Sequence, residues 1–161
     1  MNPPALKQPW YETTVIPALL RHARTTYGTA MRAALAAIDC DDMPKNGMYV
    51  IGGLAMGTGG VPLLQLVKEL GVSKQSAGQL VDTLVQRGYL DRSVDPEDRR
   101  KISITLTPRG QEAAAAQAAA REHIDAALAE RVGSKCVTQM RKALGALCAM
   151  QHEENTDDRI Q

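Results

Sequence analysis

The chain has 161 residues, enough for one domain or a small domain with helical extensions. With 44% hydrophobic and 23% charged residues it has an ordinary globular composition, and its 19 basic and 18 acidic side chains leave a net charge of only +1. That balance alone argues against a strongly basic nucleic-acid binder, and 3% aromatics with no Phe exclude a base-stacking platform for single strands or RNA.

Residues 1–11 read as a proline-containing arm without the basic and apolar regions of a signal peptide. The chain holds no run of about 18 apolar residues, so no membrane span and a cytoplasmic location are expected. From Thr13 to Ile38 the pattern is helical: Ile16, Leu19, Leu20, Ala23 and Tyr27 recur at three- and four-residue steps. Pro17 falls in the first turns, where proline is tolerated. Asp39–Gly47 reads as a turn, Met48–Met56 as a short apolar helix weakened by Gly52 and Gly53, and Gly57–Gly60 as a loop.

Leu63–Leu70 reads as a short helix with Leu63, Leu66, Val67 and Leu70 on one face, ended by Gly71 as a left-handed cap. After Val72, Ser73 is a suitable N-cap for a second helix running to about Arg87. Its apolar stripe is Ala77, Leu80, Val81 and Leu84, and Gly88 caps its end. Two short helices across a Gly-Val-Ser turn make a helix-turn-helix. Residues 89–94 and 101–106 alternate apolar and polar around a charged centre, Asp95–Arg100, which predicts a β-hairpin and so a winged helix. Thr107-Pro108 restarts a helix, with Thr as N-cap and Pro first inside it. Residues 110–130 are Ala-rich and helical. A last helix from about Ser134 carries Val137, Met140, Leu144, Leu147 and Cys148 on its stripe.

A helix in the major groove reads base edges with polar side chains near its N-terminus. The outward face of the second helix offers Ser73, Lys74, Gln75, Ser76 and Gln79, with Thr83 further along. Lysine suits guanine or phosphate, glutamine suits adenine, and serine suits either base edges or phosphate. The hairpin tip adds Arg99, Arg100 and Lys101, suited to phosphates or the narrower minor groove. Residue by residue, a solvated helix face reads the same way. The order of turn, caps, stripe and hairpin favours contact with duplex DNA.

Residues 63–110 resemble the DNA-binding lobe of the MarR family, the winged-helix regulators named for multiple antibiotic resistance. The strings LGVSKQSAGQLVDTLVQRGYLDR and DPEDRRKISITLTPRG carry the likeness, above all the Asp-x-x-Asp-Arg-Arg wing followed by Thr-x-x-Gly. The resemblance implies a mainly α fold with a small β wing: a single domain over 1–161, a winged helix-turn-helix lobe at 61–107, and dimerisation helices at 12–39 and 108–152. It implies a homodimer on a palindromic operator in double-stranded DNA. Ser73, Lys74, Gln75, Ser76 and Gln79 would enter the major groove, Arg99 or Arg100 the minor groove, and Asp98 would orient the wing arginines. It also implies a pocket between the dimer helices and the lobe for a small aromatic or anionic effector. The nearby residues are Arg21, His22, Arg24 and Thr25 and the segment Met48–Met56. Gly52-Gly53 and Gly57–Gly60 are richer in glycine than the family's corresponding segments.

Three other readings weigh against this one. An enzyme is not expected, since the chain has no HExxH, GxSxG or phosphate-loop Gly-Lys-Ser/Thr, and no cofactor or metal is implied. A thiol-based redox regulator of the same fold needs an exposed, activated cysteine. Cys40 precedes two aspartates, Cys148 lies on an apolar stripe and is expected in the core, and Cys136 beside Lys135 is the best of the three. A winged helix can also serve only as a protein-interaction module. The charge is unevenly divided: residues 61–110 carry net +2 and residues 111–161 net −2.

Overall fold

The computed structural model describes residues 9–44, 46–57, 61–62, 71, 73–94 and 102–157. The expected helix Leu63–Leu70 lies outside the described residues, as does the wing tip with Asp98, Arg99, Arg100 and Lys101. In chain order the elements are α1 (Trp10–Thr13), α2 (Ile16–Ala36), α3 (Gly47–Met56), β1 (Val61–Pro62), α4 (Lys74–Gln86), β2 (Leu90–Val94), β3 (Ile102–Leu106), α5 (Pro108–Val132) and α6 (Ser134–Asp157). The fold is mainly helical with a small antiparallel wing, as expected.

The sheet order is β1-β3-β2. The expected hairpin is β2 and β3, running from Leu90↔Leu106 to Val94↔Ile102. The third strand, β1, was not expected; it pairs Val61 with Ile104 and Pro62 with Ser103. The first helix also departs from the expected Thr13–Ile38. It is broken at Thr14–Val15, whose backbone is extended, and restarts at Ile16. Pro17 explains the break: its ring would clash with the carbonyl of Thr13 in a continuous helix, yet it fits the first turn of a new one. The helix stops on Asp39, which takes φ +55°, and the Cys40 amide donates back to the Leu35 carbonyl at 2.9 Å. Aspartate tolerates the left-handed position that glycine usually fills at such a stop.

The chain forms two compact units, 1–121 and 122–161. The core of the first joins Leu35 of α2, Val50 and Ile51 of α3, Val81 and Leu84 of α4, Leu90 and Ile104 of the wing strands, and Ala113 of α5. Each large apolar side chain buried there contributes about 1.5–3 kcal/mol. Gly47 lets α3 approach α4, since a Cβ there would stand 2.9 Å from Leu84 Cδ2.

In the second unit, the end of α5 and α6 join at Gly133, which takes φ +84°. Arg141 bridges back to Asp125 at 2.7 Å. The stripe of α6 is not a closed core in the single chain: Val137 and Leu144 are half-buried, but Met140, Leu147 and Cys148 are exposed. Cys148 therefore departs from its expected core position, because two helices alone do not enclose one. No described helix is long and apolar enough to cross a membrane.

Candidate nucleic-acid interface

The roll of α4 about its axis is fixed by its buried side. Ala77, Val81 and Leu84 are each wholly buried, with Leu80 and Val85 packed beside them. The N-terminus is fixed by Ser73, whose Oγ accepts from the Ser76 amide at 3.1 Å and donates to Ser76 Oγ at 2.9 Å. The N-cap expectation holds, and it ties Ser73 and Ser76 to each other. Lys74, Gln75, Ser76 and Gln79 are exposed. Thr83 is half-buried, and its hydroxyl donates to the Gln79 carbonyl at 2.8 Å, so it is turned onto its own helix.

At about 100° per residue, Gln75, Gln79, Asp82 and Gln86 form one strip roughly 60° wide, opposite the buried stripe. All four are exposed. Sequence reasoning missed Asp82 and Gln86, although their spacing from Gln75 and Gln79 held the signal. Asp82 is not free: its Oδ1 lies 2.5 Å from Nη2 of Arg92 on β2.

The exit of α4 is anchored by groups distant in sequence. Gly88 takes φ +74°, and the Tyr89 amide donates to the Leu84 carbonyl at 2.9 Å. Tyr89 is wholly buried and its hydroxyl donates to the Asp42 carboxylate. Burial first, then Asp42 and the Cys40 sulfur beside it, push the Tyr89 phenol far above its ordinary range. The Arg109 guanidinium lies over the Tyr89 ring at 4.4 Å. It donates to the Arg87 carbonyl at 2.6 Å, the Asp39 carbonyl at 3.1 Å and Asp42 at 3.1 Å. Thr107 completes the anchor: its hydroxyl donates to the Gly88 carbonyl at 2.6 Å and accepts from the Gly110 amide at 3.0 Å. The end of α4, the turn after α2 and the start of α5 are thus one hydrogen-bonded unit.

The effector candidates Arg21, His22, Arg24 and Thr25 all lie on the exposed side of α2. Arg24 reaches α3, with Nε 2.8 Å from Tyr49 Oη and its guanidinium 4.8 Å from the ring centre. Thr25 donates to the Arg21 carbonyl at 3.1 Å. None of the four lines the concavity of about 510 Å³ between α3, β3 and α5, whose walls include Leu54, Thr105, Leu106, Gln111 and Ala114. Deeper in α5, Gln117 is wholly buried and neither amide atom has a hydrogen-bond partner among the described residues. Of the cysteines, Cys40 is buried and Cys136 exposed.

A model of the MarR family matches residues 46–101. The uncharacterised HTH-type transcriptional regulator YhbI of Bacillus subtilis is 29% identical over 90 residues, 56% of this chain and 58% of that protein. The chain thus spans little more than half the length of that relative. FabT of Streptococcus pneumoniae, solved in complex with DNA, shares the fold with TM-score 0.74 at 19% identity, over 86% of this chain and 96% of that one. MepR of S. aureus in its DNA complex aligns with TM-score 0.69 at 18% identity, over 85% and 98%. Residues 46–101 are thus similar to the MarR family, and the chain shares the fold of FabT and MepR.

Proposed function

We propose that the protein is a sequence-specific transcriptional regulator that binds a palindromic operator in double-stranded DNA as a homodimer. The observation that carries this reading is the outward face of α4, held by its buried stripe and its capped N-terminus, with Lys74, Gln75, Ser76 and Gln79 exposed. Ser73 serves through the cap, and Thr83 at the edge of that face. The sequence assigns Arg99, Arg100 and Lys101 to phosphate or minor-groove contact at the wing tip, with Asp98 orienting them. That two proteins of this fold were solved with DNA supports the reading.

In this scheme 61–107 is the DNA-binding lobe, and 12–39 and 108–152 supply the dimer contacts. Exposed apolar side chains on those segments support it: Val15 and Ile16 at the start, and Met140, Leu147 and Met150 on α6. A symmetric partner is the simplest cover for them. Repression follows from occupancy alone. A small aromatic or anionic effector near Arg21, His22, Arg24 and Thr25 would act by binding one lobe spacing better than the other.

The test is selection of bound sequences from random duplex DNA, with the mass in solution measured by sedimentation. The expected product is a palindrome with half-sites about one helical turn, roughly 34 Å, apart. Absence of any enriched sequence would sink the reading.

A further inference from the structure

Asp82 is an anomaly on a face that meets DNA. It shares a strip with Gln75, Gln79 and Gln86, its side chain is 64% exposed, and a carboxylate there faces phosphate repulsion. Arg92 answers it from the wing. Arg92 pairs in register with Ile104, on the sheet face that also carries Leu90. Both neighbours are buried, so the Arg92 stem starts from the packed side of the sheet and its guanidinium emerges at the helix, 37% exposed and 2.5 Å from Asp82.

We propose that the Asp82–Arg92 pair is a specificity determinant, an inference that rests on the reading of this protein as a DNA binder. Sequence-independent binding is driven by cations on phosphates. The pair holds one cation back from that attraction and sets a fixed negative charge on the base-reading strip. The resulting penalty applies to every sequence. It is relieved where a base edge offers a donor, as the cytosine amino group does. Discrimination then rises by weakening the wrong complexes more than the right one. Arg92 keeps the penalty moderate and fixes where the carboxylate points.

The experiment compares the full-length wild type, Asp82→Asn and Arg92→Gln by fluorescence anisotropy between 50 and 200 mM salt. The probes are a 30-base-pair duplex of random sequence and the duplex recovered by selection, and thermal midpoints are measured alongside. Asp82→Asn should bind the random duplex about three- to tenfold more tightly at 50 mM salt. Its slope of log affinity against log salt should steepen by about 0.9, the effect of one further phosphate neutralised. Its preference for the selected duplex should shrink by at least the same factor. Arg92→Gln should weaken binding to both duplexes, with its midpoint near that of the wild type. If Asp82→Asn leaves affinity and slope at wild-type values, with or without a lowered midpoint, the pair is only a clasp between helix and strand and the proposal falls. Tighter binding by Arg92→Gln overturns it too. A wild type that binds neither duplex defeats the DNA-binding reading itself, and this proposal with it.

Discussion

Replacing Gly110 by alanine sets two effects against each other. Inside a helix alanine is favoured over glycine by about 0.8–1 kcal/mol. Gly110 sits in the first turn of α5, against the exit of α4. A Cβ there would lie 2.1 Å from the Tyr89 carbonyl oxygen, and 3.2 Å from both the Tyr89 carbonyl carbon and Leu106 Cδ2. The oxygen contact is short of van der Waals separation by more than about 1 Å. The carbonyl cannot move alone, because it accepts from the Thr107 amide at 3.2 Å while the neighbouring Gly88 carbonyl accepts from the Thr107 hydroxyl at 2.6 Å. Overpacking costs about 1–3 kcal/mol. Each lost hydrogen bond adds about 1 kcal/mol. The clash therefore outweighs helix propensity, and the expected net loss is about 3 kcal/mol.

Urea denaturation of the variant against the wild type measures that loss. Gly53→Ala is the internal control. Gly53 lies within α3, is exposed, and an added Cβ meets nothing within 4 Å, so this change should gain about 0.5–1 kcal/mol. A Gly110→Ala protein as stable as the wild type, beside a stabilised Gly53→Ala, would refute the reasoning. The glycine of the Thr-x-x-Gly signature would then be there for some reason other than close approach.

Three further outcomes follow from the same geometry, and a fourth from the sequence. Gln117→Met removes two buried, unpartnered amide atoms and should stabilise by about 1–3 kcal/mol, read as a higher urea midpoint; a lower one would mean the amide is paired in solution. Tyr89→Phe should cost about 1 kcal/mol at neutral pH. Because the folded Tyr89 phenol titrates far above its unfolded value near 10, the unfolded chain loses its proton first. Wild-type stability should therefore fall above about pH 10 by up to roughly 1.4 kcal/mol per pH unit more than that of Tyr89→Phe, and parallel alkaline curves would contradict this. Ser73→Ala should cost about 0.5–2 kcal/mol and lower helix content at the start of α4, with unchanged stability counting against the cap. Arg99→Ala should weaken binding to all duplexes and lower the salt slope by about one, and an unchanged slope would remove Arg99 from the phosphate contacts.

What could be read in the sequence was local. Ser73, Gly88 and the pair Thr107-Pro108 mark helix ends by their own chemistry, and Ala77, Val81 and Leu84 mark a buried side by spacing alone. Each was found where the structure has it. What escaped depends on partners far along the chain. Val61-Pro62 makes a poor strand by itself and becomes one by pairing with Ile104 and Ser103. Tyr89 meets Asp42 across 47 positions, and Arg109 meets it across 67, so neither contact leaves a pattern in any window. Asp42 read as one more charge in a turn. The end of α2 was legible to within two residues as a turn starting at Asp39, but not that Asp39 itself takes the backbone conformation usually left to glycine.

The near-neutral charge is the clearest case of a count that geometry reinterprets. Residues 61–110 carry net +2. Two of their arginines are already committed inside the fold: Arg92 to Asp82, and Arg109 to Asp42 and two carbonyls. On the outward face of α4, Lys74 forms no ion pair among the described residues, and its neighbours Gln75, Ser76 and Gln79 are uncharged. A face so poor in free cations gains little from phosphates in general. In the proposed dimer on DNA, affinity for any one sequence would then come largely from directed hydrogen bonds to base edges, added over two symmetric copies of the lobe.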